Sequence, residues 1–153
     1  METLTSKYAD RAVRSVFVYT REAHPGEIMR HHGSMDDKRH HAGALRDQFG
    51  VTRQILLDDF DGTAHKAWGM LPNMAYIIMR GGLIVYRAAW TDATDIENAL
   101  EVALDAGARR VAEKLSPFYS ERLGFRPNDM EKFRTGLEKN GPQAVSDFFP
   151  KKK

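Results

Sequence analysis

Residues Ser15–Pro25, S-V-F-V-Y-T-R-E-A-H-P, decide how the rest of the chain is read. The stretch opens with β-branched and aromatic residues, Val16, Phe17, Val18, Tyr19 and Thr20, the composition of a buried strand. It then turns to charge, Arg21, Glu22 and His24, and stops at Pro25. Proline biases the residue before it toward extended backbone, so Ala23-His24-Pro25 should leave the strand as a fixed loop and not as a helix. A strand end that carries an acid, a base and a cation is where open α/β sheets place their ligand sites. Glu22 and His24 stand two apart in extended chain, which puts both side chains on one side. A carboxylate beside an imidazole selects its tautomer and raises its basicity, the arrangement of a general base. The bland alternative has Glu22 accepting backbone N–H groups and His24 packed on Pro25.

Working outward, Glu2 to Ala12 reads as a short helix with Leu4, Tyr8 and Ala12 on one face. Arg21 to Gly33 is a loop. Ser34, with Asp37 three residues on, is a capping-box start for a helix that runs to Phe49 and ends at Gly50. His41, Ala42, Leu45 and Phe49 share its predicted inner face. Gln54–Leu57 is a second strand, and Asp58 to Thr63 a turn before a short helix through Trp68. Met74–Met79 and Leu83–Ala88 flank Gly81-Gly82 as an antiparallel hairpin, with Tyr76 and Ile78 facing Ile84 and Tyr86. A long helix follows from Asp92 to Leu115, with Ile96, Leu100, Ala103, Leu104, Ala108, Val111 and Leu115 as its buried stripe. Pro117 breaks it. Asn128 caps a further helix lined by Met130, Phe133 and Leu137, and Asn140-Gly141-Pro142 stops that helix. A last segment, Ala144 to Phe149, carries Val145, Phe148 and Phe149. Alternating helices and strands with a late hairpin predict a three-layer α/β sandwich, residues 1–115, extended by all-helical residues 116–153 packed on the same domain.

The 153 residues are enough for one domain with a real core. The net charge of +2 rests on Lys151-Lys152-Lys153, so no nucleic-acid footprint is expected. No apolar run is long enough to span a bilayer and no signal peptide is evident, which makes the cytoplasm the expected location. The chain has no cysteine. Disulfides, thiolate nucleophiles, Cys-ligated zinc and a self-contained thiol redox cycle are excluded.

Three other constellations carry residues capable of chemistry. His24, His32 and His40 are the best candidates for an imidazole metal site, against a reading in which the loop histidines are solvated and His41 is a core residue; no metal is expected. Asp59-Phe60-Asp61-Gly62-Thr63 after Ile55-Leu56-Leu57 matches the D-x-D-G-T nucleophile motif of haloacid-dehalogenase-like phosphatases. The remaining parts of that machinery do not follow in order. A turn is therefore expected, with Asp61 or Thr63 capping the short helix. His65 reads as a surface or interface side chain. Trp90, after the fourth strand, would wall a pocket and Tyr86 donate a hydrogen bond into it, or else both serve as core or rim aromatics.

V-F-V-Y-T-R-E-A-H-P-G-E, L-L-D-D-F-D-G-T-A-H-K-A-W-G, L-P-N-M-A-Y-I-I and G-G-L-I-V-Y-R-A-A-W together resemble the thioredoxin-like redoxin and iodothyronine-deiodinase-like family, over roughly residues 1–104. The resemblance implies a thioredoxin-like α/β/α sandwich, a cis Leu71–Pro72 bond, and Glu22 and His24 beside the family's redox centre. The strand and the Cys or selenocysteine that precede the first helix in that family are missing, so the fold would be N-terminally shortened. Val16–Thr20 and Met74–Met79 would then pair directly, gain a strand from a second copy in a homodimer that completes the sheet, or lean on the C-terminal helices. The expected activity is acid–base chemistry on a small organic molecule, as a lyase, isomerase, cyclase or hydrolase, without thiol redox and with no cofactor implied. His24 is the expected acid/base and Glu22 its orienting partner. Arg21 or Tyr86 would stabilise developing charge, and Pro72, Asn73 and Trp90 would complete the substrate site. The alternatives are a non-catalytic binding or dimerisation module, or a redoxin whose Cys-bearing strand lies upstream of Met1.

Overall fold

The computed structural model describes residues 1–113, 119–122 and 129–149. The first helix, α1 (Glu2–Lys7), buries Leu4 and is shorter than expected: a single 3-10 turn at Ala9–Arg11 follows, and Ala12 turns left-handed at φ 56°. Tyr8 still reaches the core, 1% exposed. Ala12 does not, because the chain has already broken from the helix axis.

Strands β1 (Val16–Tyr19) and β2 (Gln54–Leu57) run parallel, Phe17 opposite Ile55 and Tyr19 opposite Leu57. Parallel strands need a crossover, and α2 (Met35–Phe49) supplies it. Its start is as the sequence reads. The Ser34 hydroxyl accepts the Asp37 N–H at 3.1 Å, and the Asp37 carboxylate reaches back to the Gly33 N–H at 3.0 Å. Such a cap stabilises a helix by about 1 kcal/mol. Gly50, at φ 65°, ends it in the left-handed region. The buried face is displaced from the predicted one. Lys38, His41, Ala42 and Ala44 are inside, Leu45 is half-buried and Phe49 is exposed.

After β2, the chain makes a turn into α3 (Thr63–Ala67). Neither Asp61 nor Thr63 caps it with a side chain: Gly62, at φ 72°, stands at the N-cap, and the acceptors are Asp58 and Asp59. His65 is buried and not a surface residue; its Nε2 lies 3.3 Å from the Leu71 carbonyl oxygen. The Leu71–Pro72 bond is trans, contrary to the expectation from the redoxin resemblance. The reversal there is taken by Gly69 and Met70, both at positive φ, so the proline needs no cis bond to turn the chain.

The hairpin β3 (Ala75–Ile78) and β4 (Ile84–Ala88) is antiparallel around Gly81 and Gly82, both left-handed. Ile78 faces Ile84 as expected, but a bulge between Ile77 and Ile78 sets Ile77 against Tyr86 and Tyr76 against Arg87. Helix α4 (Ala93–Glu113) buries Ile96, Leu100 and Ala103. Leu104 is half-buried and Ala108 exposed, because the stripe drifts off the core toward its C-terminal half. A short strand, β5 (Ser120–Arg122), pairs parallel with β4. It corrects the all-helical reading of the C-terminal region; three polar residues carry no strand periodicity. The end of the long helix at Leu115, the burial of Val111, the break at Pro117, the Asn128 cap and the lysine tail lie outside the described residues. Helix α5 (Met130–Glu138) is capped by Asp129, which accepts the Lys132 N–H at 3.0 Å, and α6 (Pro142–Phe148) closes the described chain.

The chain is a mixed α/β protein with two small sheets, β1-β2 and β3-β4-β5. No described strand joins them, so the direct pairing of the first and third strands is not formed. The Cα framework divides into two compact units. One, the N-terminal unit, takes Glu2–Pro72 together with α5 and α6; the other, the hairpin unit, runs from Asn73 through β5. No helix among the described residues is long and apolar enough to cross a membrane.

Candidate functional site

The charged end of the Ser15–Pro25 stretch becomes a fixed loop because the C-terminal helices hold it by its backbone. The Asn140 side chain donates to the His24 carbonyl at 3.0 Å and to the Met29 carbonyl at 3.2 Å, and its oxygen accepts the Met29 N–H. Gly26 donates to the Met29 carbonyl at 2.8 Å. The Glu27 carboxylate takes the Gln143 N–H at 3.0 Å, closing the first turn of α6. Glycine at position 26 is demanded by this packing, since a Cβ there would run into the Asn140 carbonyl.

This clamp delivers His24 to an acid that the sequence reading did not find. Its Nδ1 lies 3.1 Å from the Asp147 Oδ2. The ring sits edge-on to Phe148 at 5.1 Å and to Phe133 at 6.2 Å. Glu22, the expected orienting partner, meets His24 through its backbone: Oε1 accepts the His24 N–H at 3.4 Å. The Glu22 carboxyl is pushed up, first by burial, while the His24 N–H and the nearby imidazoles oppose the shift. Nothing local in the sequence pairs His24 with Asp147, 123 residues away. The sequence signal is weak: Val145, Phe148 and Phe149 define an amphipathic turn whose polar positions are Ser146 and Asp147.

Of the other predicted site residues, Arg21 is exposed beside Glu22, and Pro72 is exposed at the end of the N-terminal unit. Asn73, Tyr86 and Trp90 belong to the hairpin unit. There the Asn73 carbonyl accepts the Thr91 hydroxyl at 3.1 Å, Tyr86 is buried and Trp90 half-buried. The metal alternative does not form. His24 is engaged by Asp147 and His32 sits against Phe60, while His40 is exposed on α2; no three His, Asp or Glu residues converge as a metal-binding group among the described residues.

A second polar cluster gathers where β1 and β2 end. The Tyr19 hydroxyl lies 3.4 Å from His41 Nδ1, both groups buried. Burial, with negative Glu22 behind it, raises the Tyr19 pKa and keeps the phenol protonated. Burial pushes His41 down, with the His40 charge next. Asp58, 3% exposed, accepts the N–H groups of Asp59, Ala64 and His65 at 2.8–2.9 Å. Asp59 accepts the Thr63 N–H at 2.8 Å. Both aspartates are thus spent on the N-terminus of α3, a structural use of the D-x-D-G-T run. Wholly buried Lys38 completes the cluster.

No family model, no curated protein and no solved structure matches the chain.

Proposed function

We propose that this chain is an acid–base enzyme acting on a small organic molecule, built on a cysteine-free thioredoxin-like scaffold and working in the cytoplasm. The observation that carries the reading is the His24–Asp147 dyad. A carboxylate at 3.1 Å from Nδ1 holds the imidazole with its proton on that nitrogen and leaves Nε2 to take one from substrate. The His24 side chain is 26% exposed, enough for a small molecule to reach it, while Phe133 and Phe148 wall the ring. Glu22 supplies the complementary group. Burial pushes its carboxyl up, and its Oε1 holds the His24 N–H, which keeps the acid on the same loop as the ring. Arg21, exposed on the same loop, is the cation available for developing negative charge. Proton transfer, elimination, cyclisation and hydrolysis all fit this pair; these 153 residues hold no cysteine to supply a thiol.

The test is a pH-resolved activity screen against small ketones, esters and β-hydroxy acids, with the wild type beside His24→Gln and Asp147→Asn. Loss of a positioned acid/base costs about 10²–10⁴-fold in rate. His24→Gln should fall in that range. Asp147→Asn should lower activity and disturb the ring tautomer seen by long-range ¹⁵N NMR. Full activity in His24→Gln would remove the assignment.

A second reading, a binding or dimerisation module, is favoured by one surface. Val16 and Val18 of β1 and Leu56 of β2 are exposed on one face of the two-stranded sheet. Sedimentation analysis separates the readings, since an obligate assembly supports the module and a monomer the enzyme.

A further inference from the structure

Lys38 is a buried cation without a counter-charge in contact. The residue is 0% exposed. Its Nζ donates one hydrogen bond, to the Asp59 carbonyl oxygen at 2.7 Å, and no carboxylate comes within ion-pair distance among the described residues. An ammonium has three donors. Burying one without a paired charge is costly. The acids that attract it electrostatically, Asp58 and Asp59, face other duties: they accept backbone N–H groups at the start of α3. Asp37, on the same helix, is spent on the Gly33 N–H.

A second group in the same unit is also unsatisfied. His32 Nδ1 is buried and has no hydrogen-bond partner among the described residues. Its ring lies edge-on to Phe60 at 5.6 Å. Lys38 is close enough to repel a proton from it, second only to burial in holding the His32 pKa down. Both groups belong to the segments that meet at the carboxyl ends of the parallel strands β1 and β2, beside the N-terminus of the 15-residue α2. That edge is where α/β units place anionic ligands. A neutral occupant would satisfy the ring nitrogen and leave the ammonium uncompensated, whereas an oxyanion does both. Asp59, whose carbonyl takes the Lys38 ammonium, and Phe60, which lies against His32, are adjacent and both exposed.

We infer that the carboxyl edge of β1 and β2 is a binding site for a small oxyanion, a carboxylate or phosphate group, taken by Lys38 Nζ and His32 Nδ1 and reached past Phe60. The inference goes beyond the acid–base reading of His24 and stands without it.

The experiment is an NMR titration of the full chain with sodium acetate and, separately, with sodium phosphate, at ionic strength held constant with sodium chloride. The expected result is a saturable shift of the Lys38 ε-CH₂ and His32 ring signals with at least one of the two anions; which one is tighter identifies the ligand class. Lys38→Met should weaken binding about tenfold or more, the loss of a charge-assisted hydrogen bond. His32→Gln should weaken it less. Shifts no different from those in chloride, or saturable shifts confined to other residues, overturn the site, as does a folded Lys38→Met that binds as tightly as the wild type. The wild-type titration decides the question by itself if Lys38→Met does not fold. Activity of His24 variants bears on neither outcome.

Discussion

Removing the Asp58 carboxylate should unseat α3 at a cost that follows from its three hydrogen bonds. Asp58 is buried and accepts the N–H groups of Asp59, Ala64 and His65. Asp58→Ala strands all three. An unsatisfied buried donor costs about 1–3 kcal/mol. Thr63, at the start of the helix, is exposed and lets water reach part of the turn, so the low end applies to each, about 3 kcal/mol in all. For a chain of this length that is a fall of about 9 °C in Tm. Asp58→Asn keeps one accepting oxygen and should lose about half as much. Asp61→Ala is the control. Asp61 is exposed and caps nothing, so its removal should stay within about 0.5 kcal/mol. The assay is urea denaturation followed by the fluorescence of Trp68, which forms the C-cap of α3. If Asp58→Ala costs under about 1 kcal/mol, or Asp61→Ala costs as much, the carboxylate does not hold that turn.

Gly26→Ala should force the Asn140 carbonyl away from the loop, destabilising the N-terminal unit by about 2 kcal/mol in urea denaturation; near-neutral behaviour would contradict the clamp. Burial pushes the Glu2 carboxyl up, but the Thr52 hydroxyl, the Thr52 N–H and Arg53 outweigh it and hold the pKa at about 2. The stability it contributes is present above its ordinary value of about 4.5 and lost as pH falls from there toward about 2. Because Glu2 is partly exposed, that contribution is on the order of 1 kcal/mol, and Glu2→Gln should remove it from the acid limb of a denaturation series between pH 6 and about 3. His32 and His41 are both held below the ordinary histidine value of 6.5, by burial first. The unfolded chain therefore takes up more protons, and stability is lost as pH falls below about 6.5. His41→Gln should flatten the denaturation midpoint between pH 7.5 and 5.5, which a midpoint series measures directly.

The secondary structure was legible because it is written in local periodicity and in punctuating residues. Ser34 and Gly50 bound α2, Gly81 and Gly82 turn the hairpin, and the apolar stripe from Ile96 to Ala103 marks α4. These signals act within a few residues, and a single chain displays them in full. The strand β5 escaped because Ser120, Glu121 and Arg122 form no pattern of their own and take strand geometry only from the β4 edge. The site was half legible. Glu22 and His24 stand out in sequence as charge at a strand end, but the acid that faces the His24 ring comes from α6.

What the chain settles alone is chemistry and element order: no thiol, a strand, a helix and a second strand in succession, a hairpin, and histidine with carboxylate on the first loop. Which carboxylate faces the His24 ring was decided by the docking of α6, 123 positions downstream. Tertiary structure alone likewise buried Lys38 and spent Asp58 and Asp59 on α3 rather than on that cation. The reason is one of range. Propensity and capping act over one helical turn, whereas desolvation and charge pairing depend on which distant surfaces close over a group.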